Sequence, residues 1–149
     1  MDVESYYEFL PWCKGARVIE NAVWPYWYDK CKKNSFGKLS DLREAELYIE
    51  YALFKEKMHS YVALYEHTSR NSEYKGMSVV TFTNKYPFSM LESVFCLDDM
   101  QEGGCRLVFE ISFDINNIVL GALIKRSLPS VSERIIRHFE QRVNYKYVL

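Results

Sequence analysis

Three histidines and four cysteines are the side chains best able to hold a metal or attack an electrophile. They are His59, His67, His138, Cys13, Cys31, Cys96 and Cys105, and they are scattered, with no C-x-x-C pair and no H-E-x-x-H. Structural zinc ligands usually come in close sequence pairs, so the scatter predicts no metal site. It predicts instead reduced, buried or half-buried thiols in a cytoplasmic protein. Acid–base catalysis needs a carboxyl or imidazole aimed at a substrate. Glu110 and Asp114 alternate against the apolar positions of their segment and are expected to face outward, and His138 sits beside Arg134, Arg137 and Arg142 on a polar face. Glu8 is placed to cap a helix or to pair with Arg17. No nucleophile–base pair or Gly-rich phosphate loop occurs, so neither an enzyme nor a catalytic cofactor is expected.

The abundant chemistry is apolar. Twelve Tyr, nine Phe and three Trp bring the aromatic fraction to 16%, and wide rings suit a cavity wall as well as a core. A formal net charge of -1 gives the whole chain no electrostatic footprint for nucleic acid. A local basic stretch exists in Lys125, Arg126, Arg134, Arg137, His138, Arg142 and Lys146. It reads as a solvated helix face, or as an approach to anionic lipid head groups or ribosomal RNA. No apolar run reaches the ~18 residues of a membrane span. Met1-Asp2-Val3-Glu4 opens without a basic or apolar leader. The expectation is a cytoplasmic protein that meets a membrane only peripherally, at its inner face.

At 149 residues the chain suits a single domain, 1–149, with its own core. Residues 4–10 form a short amphipathic helix stopped by Pro11, and Ala16–Trp24 a strand. Pro25–Ser40 is a Lys-rich connection without periodicity, the expected mobile loop. From Arg43 the pattern alternates: Ala45, Leu47, Ile49 and Tyr51 point one way, while Glu44, Glu46, Tyr48 and Glu50 point the other. Strict period two favours a half-buried strand over the helix that Glu, Ala and Leu would otherwise suit. Further strands are expected over Lys57–Glu66, Met77–Thr83, Phe88–Leu97 and Arg106–Asp114, with turns at Thr68–Gly76 and Asp98–Gly104. Ile118, Leu120, Leu123, Ile124, Val131, Ile135, Ile136, Phe139 and Val143 then recur at helical spacing, with a kink or break due at Pro129. Consecutive strands at hairpin spacing make the sheet antiparallel. A curved sheet of about six strands gripping one long C-terminal helix is an α+β fold.

Three segments carry a family resemblance. Tyr6, Glu8, Phe9, Leu10, Pro11, Trp12, Cys13, Gly15, Arg17 and Val18 follow the order Y-P-E-F-L-P-W-C-x-G-x-R-V, with Tyr7 in place of the Pro. Pro87-Phe88-x-x-Leu91 is similar to a G-P-F-x-x-L-x-x-x-W-x-F segment, with Tyr86, Phe95 and Leu97 at the Gly, Trp and final Phe. Cys105–Phe113 resembles a V-x-F-x-I-x-F strand, and Phe139-Glu140-Gln141-Arg142 an A-F-x-x-R-A helix end. Together they resemble the coenzyme Q-binding and ribosome-association-toxin family, START-like helix-grip domains of the oligoketide cyclase/lipid transport group. Members usually begin with a strand and half a helix before the first block, and this chain has almost none of that. The Val23–Leu42 connection is also longer and more aromatic than the family's. The expectation is a sheet lacking its first strand, whose opened edge pairs with a second copy as a homodimer, or a native protein with further N-terminal residues.

The resemblance implies a cavity between the concave face of the sheet and the inner stripe of the long helix. Its expected wall is Phe9, Trp12, Tyr51, Phe88, Leu91, Phe95, Phe109, Ile111, Phe113, Leu120, Leu123, Leu128 and Ile135, which could equally fill a core. Such a wall would shelter an isoprenoid or acyl chain at about 0.8 kcal/mol per buried CH₂. The implied function is binding and transport of a hydrophobic isoprenoid or lipid, ubiquinone in particular, in support of respiratory electron transfer. The family's other branch implies a protein that binds the large ribosomal subunit and blocks subunit association. An aromatase/cyclase-like enzyme is the third reading.

Overall fold

A computed structural model describes residues 2–8, 10, 12–21, 37–51, 54–68, 75–84, 86 and 88–147, apart from the side chains of residues 20, 21, 51, 54, 68, 75 and 147. A short 3-10 helix, Val3–Glu8, leads into β1 (Cys13–Asn21), β2 (Lys38–Tyr51), β3 (Phe54–Thr68), β4 (Lys75–Thr83), β5 (Phe88–Asp99) and β6 (Cys105–Ile115). One long helix, α1 (Ile118–Tyr147), follows the strands. The six strands form a single sheet in the order β1-β2-β3-β4-β5-β6, every neighbouring pair antiparallel. This is the α+β helix-grip architecture, with β1 and β6 as the edges of the described sheet.

Alternation places β2 and β6 as expected. Ala45 and Leu47 are buried and Ile49 half-buried on one face of β2, with Glu46 turned to the other. Along β6, Leu107, Phe109, Ile111, Phe113 and Ile115 are half-buried while Arg106, Val108, Glu110, Ser112 and Asp114 are exposed. The inner face so defined carries the main core: Ala45, Leu47, Met58, Val62 and Phe88, joined by Val3 from the 3-10 helix.

Several boundaries move. Lys38–Ser40 belong to β2 rather than to the expected connection, whose remaining part, 25–36, lies outside the described residues. The turn expected over Thr68–Gly76 loses Thr68, Lys75 and Gly76 to strands, and 69–74 lie outside the described residues. Asp98 and Asp99 extend β5 because Arg106 and Cys105 stand opposite them, which leaves the hairpin turn to Met100–Gly104. Gly103 (φ 89°) and Gly104 (φ 81°) close that turn in the left-handed region, where a Cβ would be strained.

Of the kink or break expected at Pro129, the break into two helices does not occur. α1 runs through it as one 30-residue helix, with Pro129 on its exposed side. Asn117 starts the helix: its Oδ1 accepts from Leu120 N at 3.0 Å and its carbonyl from Gly121 N at 2.8 Å. The sheet side of α1 runs through Gly121, Ile124, Leu128, Ile135, Phe139 and Arg142, all buried or half-buried. Ile118, Leu123 and Val143, expected in that stripe, lie off it and are exposed. Arg142 forms an ion pair with Glu8 and ties the end of α1 to the 3-10 helix. Glu8 therefore does not pair with Arg17, which bonds Glu46 at 2.9 Å instead.

The outer face is less solvated than its charged positions imply. Ala63, Tyr65, Val80 and Val94 form a second buried cluster there, with Leu42 against it. The middle strands β3 and β4 thus carry buried residues on both faces.

Candidate functional site

The inner face beneath α1 is built in rows set by strand register. One row runs Val62–Thr81–Ser93–Ile111. On one side of it lies Leu64–Val79–Phe95–Phe109, and on the other Thr83–Leu91–Phe113. Large side chains stand in the flanking rows, while Thr81 and Ser93 in the middle are small. Register thus sets a short hydroxyl-bearing row between two apolar ones, the candidate trough. Thr81, Leu91, Ser93, Phe95, Phe109, Ile111 and Phe113 are each only half-buried, so the helix does not seal this part of the face.

The rings order one another. Phe95 meets Phe109 at a centroid distance of 4.6 Å and stacks on Phe139 of α1 at 6.0 Å. Phe88 and Phe113 meet edge to face at 6.3 Å. Phe88 also lines an open depression of about 430 Å³ with Asn84, Tyr86, Ser89, Asn116 and Asn117, and so joins the inner core to the surface. Beside it the start of α1 presents Ile118, Val119 and Leu123 to solvent, the last at 60% exposure.

Of the expected wall, Phe88, Leu91, Phe95, Phe109, Ile111 and Phe113 come together on this face. Leu120, Leu128 and Trp12 are half-buried, and Ile135 is buried on the sheet side of α1. Leu123 faces solvent, because it is about 100° round the helix from Ile124, which takes the sheet side. Phe9 and the side chain of Tyr51 lie outside the described residues. Phe139 of α1 joins the rings through its stack on Phe95, and Thr81 and Ser93 lie in the row between the two apolar ones. Their signal in the sequence is a small hydroxyl residue recurring between apolar ones, visible only once register aligns the strands. Ser60 Oγ, fully buried next to Ala45 in register, has no hydrogen-bond partner among the described residues.

Where the 3-10 helix meets β1, burial favours the protonated forms of two side chains. Burial pushes the Tyr6 hydroxyl far above the usual tyrosine range, with Cys13 and Asp2 adding to it. Burial also raises the Cys13 thiol, against the opposing effect of its hydrogen bond to Gly15 O. Glu110 and Asp114 face outward as expected. His59 lies on the outer face against Glu44 at 2.5 Å.

Over residues 1–140 the chain matches the family model described as polyketide cyclase / dehydrase and lipid transport. The chain belongs to this family. It is similar to the ribosome association toxin RatA of Pseudomonas aeruginosa, 23% identical over 146 residues that span 98% of this chain and 83% of the relative. It is also similar to the ribosome association toxin RatA of Rickettsia prowazekii, 28% identical over 141 residues that span 95% and 81%. No solved structure matches the chain significantly. Within a polyketide cyclase / dehydrase and lipid transport domain, the trough under the long helix is the candidate ligand site. No described helix is long and apolar enough to cross a membrane.

Proposed function

We propose that the chain binds a hydrophobic isoprenoid or lipid in the trough, with ubiquinone as the ligand, and carries it in support of respiratory electron transfer. The observation that carries this reading is the half-open apolar wall of Leu91, Phe95, Phe109, Ile111 and Phe113 around the Thr81–Ser93 floor. An isoprenoid tail would cover the rings, and a quinone carbonyl could accept from the floor hydroxyls. Binding and shielding suffice, so no chemical step is assigned. Exposed Ile118, Val119 and Leu123, followed by exposed Lys125 and Arg126, give the trough an amphipathic lip suited to an anionic membrane surface.

Protein purified from its own host should yield a quinone on solvent extraction and mass spectrometry. Phe113→Asp, which sets a charge in the wall, should abolish that retention. Extracts free of any isoprenoid or lipid from folded protein sink the reading.

A second reading is favoured by both curated relatives being named ribosome association toxins. Exposed Lys125, Arg126 and Arg134 on α1 would then face ribosomal RNA. Its signature is co-sedimentation with the large ribosomal subunit that weakens steeply with salt.

A further inference from the structure

His67 of β3, Gly76 of β4 and Asp98 of β5 occupy one register row on the outer face. Neighbouring strands stand about 4.8 Å apart, so groups two strands apart meet only over the strand between them. Gly76 permits the meeting. A Cβ there would stand 2.2 Å from His67 Cε1, 2.7 Å from its Nδ1 and 2.9 Å from Asp98 Oδ1. The imidazole therefore lies across β4, in the space a side chain would fill. Cys96, two residues before Asp98 on the same face of β5, adds a sulfur.

His67 Nε2 lies 3.6 Å from Cys96 Sγ and 4.0 Å from Asp98 Oδ1, and the sulfur lies 4.0 Å from that oxygen. The imidazole and the carboxylate are too far apart to hydrogen-bond, yet all three atoms lie within 4.0 Å of one another. Bonds of about 2.0 Å to nitrogen and oxygen and about 2.3 Å to sulfur give a tetrahedral site edges of about 3.3–3.6 Å. The His67–Cys96 edge already fits, and the two edges to Asp98 close with small side-chain movements. Arg106 Nη2 holds Asp98 Oδ2 at 2.9 Å, which orients the carboxylate and leaves Oδ1 for an ion.

We propose that His67 Nε2, Cys96 Sγ and Asp98 Oδ1 bind a divalent transition-metal ion of the zinc class, with the fourth corner open to water. An imidazole, a thiolate and one carboxylate oxygen form a borderline donor set that suits zinc or cobalt and not magnesium or calcium. The His67 and Asp98 side chains keep 22% and 21% of their exposure, so the ion enters from solvent. On binding, Cys96 releases its thiol proton to solvent and the sulfur–metal bond forms, so affinity falls as pH is lowered. The ion clips β3 to β5 across β4, on the face opposite the trough.

Cobalt(II) titrated into the metal-free protein tests this. One equivalent should produce a thiolate-to-cobalt charge-transfer absorption in the near ultraviolet, and zinc should displace it and raise the melting temperature. Cys96→Ser should remove the absorption and the thermal shift, and His67→Gln should weaken zinc binding at least tenfold. Gly76→Ala, which drives the imidazole off β4, should also lose the absorption. The double variant Cys31→Ser/Cys105→Ser should keep it. Circular dichroism on each variant separates loss of the site from loss of the fold. No charge-transfer absorption in the folded native protein, or one that survives Cys96→Ser, overturns the proposal.

Discussion

Glu46 on the outer face of β2 receives Lys57 Nζ on one oxygen and Arg17 Nη2 on the other, each at 2.9 Å. The Lys57 hydrogen bond, followed by its charge and by Arg17, holds the Glu46 carboxyl below the usual carboxylate range. The same bond raises Lys57. A depressed carboxyl stabilises the fold above its unfolded value of about 4.3 and loses that contribution as pH falls through its folded value. Glu46→Gln should therefore lower the urea midpoint modestly at neutral pH, and the gap to the native protein should close as the solution is acidified below the usual carboxylate range. A gap independent of pH contradicts the assignment. Partners of this kind are only partly legible in a sequence. Glu8 and Arg17 sit close along the chain, yet Arg142 takes Glu8, because α1 ends beside the 3-10 helix. His67, Cys96 and Asp98 are separated along the chain and meet only through the β3–β4–β5 register, so their scatter hid them.

Between elements, Gly121 decides how α1 meets the sheet. A Cβ there would lie 2.8 Å from Ile115 Cγ2, so the helix starts hard against the end of β6. Gly121→Ala should destabilise the protein by about 1–2 kcal/mol through overpacking, even though Ala favours helix. Ile115→Ala in the same chain should relieve most of that increment, and additive costs in the double-mutant cycle would show that the contact is not shared. Period two in β2 and β6 was readable because one face of each is wet. It fails in β3, where Met58, Ser60, Val62, Ala63 and Tyr65 are all buried and both faces are covered. The second cluster on the outer face was missed for that reason. Helical spacing located α1 correctly but blurred its stripe: Leu123 fits the apolar count and still faces solvent. Pro129 signals a kink or a break, and the helix continues through it with that residue on the exposed side.

For the molecule as a whole, the trough and the exposed start of α1 act together in the proposed function. Leu123→Asp should lower partitioning onto anionic vesicles at least tenfold, since burying one leucine stabilises by about 1.5–3 kcal/mol. The same variant should leave quinone retention intact, because Leu123 is not in the wall. Unchanged vesicle binding would remove the lip from the scheme. The strand order carries a further consequence. Each strand pairs only with its neighbours in the chain, so no pairing has to wait for a distant segment. The sheet can zip hairpin by hairpin as the chain emerges during synthesis, which favours fast folding for a structure so rich in strands. The helix is made after the sheet. Until it arrives, the apolar inner face of the sheet stands uncovered, so the newborn protein is most aggregation-prone just before α1 covers it.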